Sequence, residues 1–415
     1  MKHWRIKLSL ICNYIIFAIL LNSVGVVILQ VINDFGVNPE SASVLEAYKD
    51  LSIALASFLL ASYIPRFGYK RAMITGLSIV IIGSIMMPLI GGFAMSQLLF
   101  AMVGVSFALI KVSVYSTVSL ITDNSNDHAS FMSILEGFFM VGVLSGFWLF
   151  GYFMDISARS ETITWLDTYW VLAVIGGLAL ALLISTELDE SSVKTDNDNS
   201  SPMQDFWDML GLIKYALVIF FILGAFLYVY IEQAINTWLP TFNFQVLQLP
   251  DAMSVQITSI YAGALAAGRL LGGWMMKRIN WFYVLQGSIL MGIVLVILVM
   301  PLTGGIEPGS VTGWGDVSLA AYLLPAIGLF LAPIYPTLCS SVLSALPKNR
   351  QSGMTGLIVI FSALGGTSGS IITGFLFGRM DGQTAFYFTL VPLILLFLIL
   401  IPYKRKRESF DLNNE

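Results

Sequence analysis

Long apolar segments recur along almost the whole chain. A membrane-spanning helix needs about 20 mostly apolar residues, and twelve segments meet that requirement. They lie near residues 8–31, 43–64, 71–92, 96–121, 129–154 and 167–186, and then near 211–240, 252–277, 281–301, 317–345, 351–378 and 384–402. The pattern therefore predicts an all-α membrane protein with twelve transmembrane helices.

A single long polar stretch interrupts this pattern. The sequence TELDESSVKTDNDNSSPMQDFWD, residues 186–208, separates the first six predicted spans from the second six. We therefore expect an N-terminal six-helix bundle over 1–186, a cytoplasmic linker over 187–209 and a C-terminal six-helix bundle over 210–415. A basic loop follows the second span of each half, which indicates two pseudo-symmetric bundles in parallel orientation.

Composition supports a membrane protein and excludes several other classes. Hydrophobic residues make up 57% and charged residues 11% of the 415 positions, whereas about 25% charged residues is typical of soluble domains. No basic run is long enough to neutralise a nucleic-acid backbone. Cys12 and Cys339 both lie in apolar segments, and no cluster has metal-ligand spacing. We therefore expect no disulfide framework, no metal, no cofactor and no enzymatic activity.

The distribution of basic residues predicts the orientation. If both termini and the linker face the cytoplasm, the Lys and Arg outside the span interiors all fall on that side, except Arg159 and Arg379. This asymmetry is typical of cytoplasmic loops and predicts a multi-pass protein of the bacterial inner membrane. The basic residues of the two loops that follow the second span of each half are Arg66, Lys70, Arg71, Lys277 and Arg278.

Several charged residues lie inside predicted spans, where a charge costs about 2.5–3.5 kcal/mol on insertion scales. They are Glu46, Lys49, Asp50, Lys111, Glu136, Glu232 and Arg269. The first three follow i, i+3, i+4 spacing and share one helical face. Lys111 needs a counter-charge, and Asp50, Glu46 and Glu136 are candidates. These charges form either a structural network between spans two, four and five, or a network in which a carboxylate exchanges a proton. Arg269 is expected to form an ion pair near a gate.

Polar and aromatic residues in spans one, four, seven and ten are candidates for the substrate side. They are Asn22, Gln30, Tyr115, Glu232, Gln233, Asn236, Trp238 and Tyr335. Amides beside an aromatic ring suit a sugar, which presents hydroxyl groups and a C–H face. The alternative is that the amides join neighbouring helices and the tyrosines are packing residues. The glycines of 361–378 indicate close helix packing rather than nucleotide binding.

The loop ASYIPRFGYKR resembles the signature Gly-x3-Asp-Arg-x-Gly-x-basic-basic of the major facilitator superfamily. Its matching residues are Arg66, Gly68, Lys70 and Arg71. The signature's first Gly and its Asp are replaced by Ala61 and Pro65. GRLLGGWMMKR resembles the counterpart in the second half. Within the superfamily, FLYVYIEQAINTW, APIYPTLCS and LNSVGVVILQ resemble the fucose–proton symporter branch.

This resemblance implies the major facilitator fold, a small-molecule substrate, and alternating access about a central site lined by spans one, four, seven and ten. Two departures stand out: the branch's functional Asp in span one is Gly25 here, and its span-four Glu is Lys111. We expect proton-coupled uptake of a small polar solute such as a sugar by a monomer. In this hypothesis Asp50 or Glu46 responds to protons and Lys111 is its partner.

Three alternatives remain open at this point. The first is a transporter of small organic anions that uses Lys111 as the anion's partner. The second is an exporter or facilitator whose charge network is purely structural. The third is a membrane sensor that binds the same ligand without moving it.

Overall fold

A computed structural model describes residues 4–60, 64–122, 125–159, 164–190, 207, 209–307, 309, 311, 313–346 and 348–412. All regular structure in these ranges is helical, in agreement with the predicted fold class. Most of the predicted linker at 187–209 lies outside the described residues, and so does the side chain of Arg66.

The described residues of the first half of the chain form nine α-helices. They are α1 (Trp4–Asn22), α2 (Val24–Phe35), α3 (Pro39–Ala42), α4 (Val44–Leu60), α5 (Ile64–Phe67), α6 (Tyr69–Ile90), α7 (Gly92–Ile121), α8 (Ser125–Ser157) and α9 (Thr168–Ile184). One compact unit comprises Met1–Val37 and Val44–Asn199. It contains all of these helices except α3.

The other compact unit comprises Ser200–Glu415 and the short segment Asn38–Ser43, which contains α3. Its further helices are α10 (Ala216–Gln245), α11 (Asp251–Met276), α12 (Trp281–Val299), α13 (Leu319–Leu323), α14 (Ile327–Leu331), α15 (Ile334–Ala345), α16 (Lys348–Arg379), α17 (Gly382–Tyr387) and α18 (Leu390–Leu412). A short 3-10 helix at Leu324–Ala326 and a turn at Ala332 and Pro333 divide the predicted tenth span into α13, α14 and α15.

Ten helices in the described ranges are long and apolar enough to cross a membrane. The two predicted spans outside this set correspond to α4 and α11. The first has 17 residues and carries three charges near its start. The second carries hydroxyl and amide side chains together with Arg269. Polar residues lower the mean hydropathy of both helices, as expected of membrane helices that make functional or structural polar contacts.

The predicted first span differs from the structure, because it is not one helix. It breaks at Ser23, whose Oγ donates a hydrogen bond to the carbonyl of Leu20 at 2.8 Å. Asn22 ends α1 and its amide donates to the carbonyl of Ala18 at 2.9 Å, whereas Gln30 is buried in α2. Asn22 and Gln30, both predicted on the substrate side, therefore lie on two consecutive helices.

Glycines allow the closest helix contacts within each unit. A Cβ on Gly365 of α16 would lie 2.5 Å from the carbonyl oxygen of Phe226, and Gly369 is pressed equally against the carbonyl of Tyr230. In the first unit, Gly104 of α7 lies against the carbonyl of Lys49. The close packing expected for residues 361–378 is thus observed, and small residues are what such contacts require.

Candidate functional site

Glu46, Lys49 and Asp50 form a closed ionic triad on α4. The ammonium of Lys49 pairs with the carboxylate of Glu46 and lies 3.4 Å from Oδ1 of Asp50. It also lies 3.5 Å from the carbonyl oxygen of Leu21, at the end of α1. The three residues are 0%, 5% and 8% exposed respectively. The three residues share one helical face, as their spacing predicts, and they pair with one another on α4.

This arrangement changes the expected pairing. Asp50 and Glu46 were the first candidates for the counter-charge of Lys111, but their cation is Lys49. One ammonium faces two carboxylates in this triad, and the contact of Lys49 with the carbonyl of Leu21 joins α4 to the end of α1.

A second cluster in the same unit gathers Lys111, Tyr115 and Glu136. Lys111 lies over the ring of Phe107, with 5.7 Å from Nζ to the ring centroid. The carboxylate of Glu136 on α8 interacts with the charge of Lys111. Glu136 also accepts a hydrogen bond from the hydroxyl of Tyr115 at 3.1 Å. All three side chains are exposed, although they lie within membrane-spanning helices. Charges at such depth usually face a water-filled space or other protein rather than lipid.

Tyr14 of α1 completes this cluster and was not predicted. Its ring is buried and packs edge-on against Phe139 at 5.9 Å between centroids. Its hydroxyl interacts with Tyr115 and with the charge of Glu136. No local pattern in the first span distinguishes Tyr14 from an ordinary packing aromatic residue. Only the approach of α1 to α8 reveals its role. We call Tyr14, Lys111, Tyr115 and Glu136 the Lys111 cluster.

The second unit holds a cluster of its own around Glu232. The charge of Glu232 on α10 interacts with Tyr228, Tyr261 and Tyr335, and the charge of Arg269 on α11 interacts with the first two. Arg269 therefore lies among aromatic hydroxyl groups as well as near a basic loop.

The tyrosines of this cluster hold one another in place. The rings of Tyr228 and Tyr335 stack with 5.5 Å between centroids at 22°. The hydroxyl of Tyr335 is 2.8 Å from Oγ of Ser362. Tyr228 and Tyr261 were not predicted, because isolated tyrosines in apolar segments carry no sequence signal of a shared polar contact.

Two of the three residues predicted beside Glu232 have partly exposed side chains. Gln233 and Asn236 are half-buried, and the amide oxygen of Gln233 accepts a hydrogen bond from Thr237 at 3.4 Å. Trp238, also predicted on the substrate side, differs from these two residues in its burial. It is fully buried, its indole N–H donates to the carbonyl of Ser370 at 3.0 Å, and its ring stacks on Phe377 at 5.1 Å.

A carboxylate that was not predicted from the sequence lies beside the basic loop of the first half. Glu190, which follows α9, accepts a hydrogen bond from the backbone N–H of Lys70 at 2.7 Å. The ammonium of Lys70 donates to the carbonyls of Ile184 and Thr186 at 3.0 and 2.5 Å. An acid at the start of a helix is favourable. Glu190 therefore places a carboxylate beside a loop whose signature Asp is replaced by Pro65.

The remaining loop residues are exposed. Arg71 and Lys277 point away from the helix packing, and Arg278 lies over the ring of Trp274 with 5.0 Å to its centroid. In the first span, Asn22 borders a narrow crevice between the α1–α2 break and α8, with Gly146 and Phe147 on the other side.

Sequence comparison identifies the family. The profile of the Major Facilitator Superfamily matches residues 10–324. The chain belongs to this superfamily. It is accordingly a multi-pass membrane protein of a transporter family rather than an enzyme. No curated protein matches the chain in sequence.

Solved structures of other superfamily transporters share this fold. A bacterial homologue of the human lysosomal transporter Spinster is 14% identical, with a TM-score of 0.75 over 99% of both chains. The nucleoside transporter NupG is 14% identical, with a TM-score of 0.74 over 97% of this chain and 99% of that one.

The structural neighbours also include the branch that the sequence resembles. The fucose:proton symporter FucP of E. coli is 14% identical, with a TM-score of 0.60 over 97% of this chain and 99% of the symporter. At these identities the likeness concerns the superfamily fold. The chemistry of this member has to be argued from its own two clusters.

Proposed function

We propose that this superfamily member is a secondary active transporter that carries a small polar solute together with a proton by alternating access. Its proton-binding group is Glu136 of the Lys111 cluster. The observation that carries the proposal is an exposed carboxylate, inside a membrane-spanning helix, whose partners are a lysine and a tyrosine hydroxyl. Intramembrane carboxylates of this kind often lie on proton and substrate pathways.

The partners of Glu136 are suited to a change of protonation. From α7 it is faced by Lys111 and Tyr115, and from α1 by Tyr14. Lys7, nearer the start of α1, lies over the ring of Phe131, and its Nζ is 5.1 Å from the ring centroid. The packed helix α9 carries no Asp, Glu, Lys, Arg or His in its sequence. Among the described groups that face Glu136, Lys111 supplies the positive charge.

The ionic triad is a weaker candidate for the same role. Its three charged groups lie against one another, with the ammonium of Lys49 beside both carboxylates. The triad is also remote from open space, since its side chains are almost fully covered. We therefore assign proton coupling to Glu136 and a structural role to the triad, in place of the sequence-based hypothesis that favoured Asp50 or Glu46.

Several relatives make a solute of this general type reasonable. Of the named structural neighbours, NupG is a nucleoside transporter and FucP is a fucose:proton symporter. In the second unit, the half-buried Gln233, Asn236 and Tyr335 offer amides and a phenol group to a polar solute. We further propose a monomer in the bacterial inner membrane with both termini in the cytoplasm, as the positive-inside asymmetry indicates.

The test is proton movement in proteoliposomes that contain the purified protein. Neutral sugars, amino sugars, sugar acids and small carboxylates are added one class at a time, and the pH of the donor side is recorded. Alkalinisation by one class, absent from protein-free liposomes, supports symport. Equilibration of labelled solute without any pH change would make the protein a facilitator. Acidification of the donor side would indicate proton-linked antiport, and either result would refute the proposal.

A further inference from the structure

We infer that the transported solute is a small organic carboxylate, and that its carboxylate group pairs with the ammonium of Lys111. This inference rests on the proposed function and specifies its substrate class. It places the anion-binding subsite in the first unit, on the exposed face of α7 that carries Lys111 and Tyr115.

Lys49 and Lys111, the two lysines inside the predicted spans of this unit, differ in their contacts. Lys49 is 5% exposed and lies between two carboxylates, with a backbone carbonyl nearby. Lys111 is exposed, and its described contacts are a ring face and the charge of Glu136. A lysine ammonium carries three donors and no acceptor. Lys111 thus retains donor capacity toward the exposed side, whereas Lys49 has its acceptors in place.

Lys111 lies on a surface of α7 that carries further polar groups. Lys111, Tyr115 and Ser119 follow i, i+4, i+8 spacing on α7, and all three are exposed. This spacing places them on one face of the helix. An anion at Lys111 therefore also meets a phenol hydroxyl and a serine hydroxyl one and two turns along. These groups can bind a second carboxylate oxygen or a hydroxyl group on the solute.

Glu136 has a hydrogen-bond partner besides its interaction with Lys111. Its carboxylate is held by the hydroxyl of Tyr115 at 3.1 Å, and the hydroxyl of Tyr14 lies behind that tyrosine. When a solute carboxylate takes Lys111, Glu136 loses its cation but keeps this phenol partner. A neutral carboxylic acid and a phenol can continue to share a hydrogen bond. The cluster therefore offers the proton a place at the moment when the solute binds.

The charge balance of this exchange leads to a sharp prediction. The solute brings one negative charge, and the proton that Glu136 takes from the bulk brings one positive charge. Loading is therefore electroneutral for a monocarboxylate. A neutral sugar carried with a proton would instead move one net positive charge and would respond to the membrane potential.

The experiment uses matched pairs of labelled solutes that differ in the carboxylate. The pairs are glucuronate with glucose, galacturonate with galactose, and gluconate with sorbitol, supplemented by lactate. Uptake into proteoliposomes is driven either by an inward proton gradient or by a potassium diffusion potential set with valinomycin. We expect a carboxylate to accumulate with the proton gradient, to ignore the diffusion potential, and to outcompete its neutral partner.

The variants separate binding at Lys111 from general damage. Lys111→Gln should raise the KM for the carboxylate about 10- to 100-fold, which is the range expected for loss of one charged hydrogen bond. Lys111→Arg should restore part of that loss because it keeps the charge. Arg159→Gln is the matched control. It removes a cation of the same unit that is 77% exposed and pairs with Asp155, and it should leave KM unchanged.

The outcomes distinguish this inference from the proposed function. If a neutral solute accumulates with the proton gradient and responds to the diffusion potential, symport stands and the carboxylate assignment is refuted. If a carboxylate enters with Lys111-dependent KM but without response to the proton gradient, the anion subsite stands and proton coupling fails. If no solute of the panel is moved, or if Lys111→Gln leaves KM unchanged, the inference is overturned.

Discussion

Replacement of Lys49 by methionine is the strongest test of the ionic triad. Methionine has a similar length and no charge, so Lys49→Met removes the cation with little change in volume. Glu46 and Asp50 would then remain in a site where they are 0% and 8% exposed, without the ammonium that pairs with both. We expect a large loss of folding stability, because two buried carboxylates would lack their compensating charge.

The magnitude follows from the geometry. Two unit charges 3.4 Å apart, as Lys49 Nζ and Asp50 Oδ1 are, attract each other by about 5 kcal/mol at an effective dielectric constant near 20. Removal of one partner from a buried ion pair costs about 3–5 kcal/mol in measured cases. We therefore expect Lys49→Met to lower the free energy of unfolding by about 3–5 kcal/mol. This corresponds to roughly two to nearly four orders of magnitude in the folding equilibrium.

The assay is unfolding in mixed micelles of dodecylmaltoside and increasing SDS, followed by tryptophan fluorescence. Asp50→Asn, which preserves the pair of Glu46 with Lys49, should cost clearly less than Lys49→Met. Arg159→Met is the control for loss of a cation, since its pair with Asp155 is exposed; exposed pairs contribute only about 0–1 kcal/mol. A Lys49→Met variant as stable as Arg159→Met would refute the assignment of the triad to structure.

Three further predictions concern the packing and the loops. Gly104→Ala should lower the midpoint of thermal unfolding, because its Cβ would meet the backbone of α4, whereas Gly177→Ala has open space and should raise it slightly. Glu190→Gln weakens the acceptor for the N–H of Lys70, and hydrogen–deuterium exchange of the first turn of α6 should quicken. Hydrogen bonds from Thr384 lower the pKa of Asp381. The ionised cap therefore contributes its full stabilisation of the protein above the ordinary carboxyl pKa. This contribution is lost as the pH falls through the lowered pKa of Asp381. The destabilisation by Asp381→Ala, about 0.5–1 kcal/mol in urea titrations at pH 7, should therefore shrink in acid.

The helical architecture could be predicted from the sequence because lipid demands a long apolar run for each span. The break at Ser23 could not, because hydropathy averages over about 20 residues and is insensitive to one interrupted turn. The shared face of Glu46, Lys49 and Asp50 was also predictable from spacing. Its internal pairing was not, because that depends on how the side chain of Lys49 lies along α4 and near the carbonyl of Leu21.

The candidate sites were predictable in part for the same physical reason. Charges inside apolar segments single out Lys111 and Glu136, and the structure places them together with Tyr115. The role of Trp238 could not be read from its neighbours in sequence. Its polar partner is Ser370, 132 positions away, and only the packing of α10 against α16 shows that the indole N–H is already satisfied.

The most direct test of the central claim separates exchange from accumulation in Glu136→Gln. The solute is the one that alkalinises the donor side with the wild-type protein, and Asp50→Asn is measured in parallel. We predict that Glu136→Gln exchanges labelled for unlabelled solute across proteoliposomes but accumulates none against its gradient when a proton gradient is imposed, while Asp50→Asn still accumulates it. Normal accumulation by Glu136→Gln, together with its loss in Asp50→Asn, would show that the triad carries the proton and that the assignment made here is wrong.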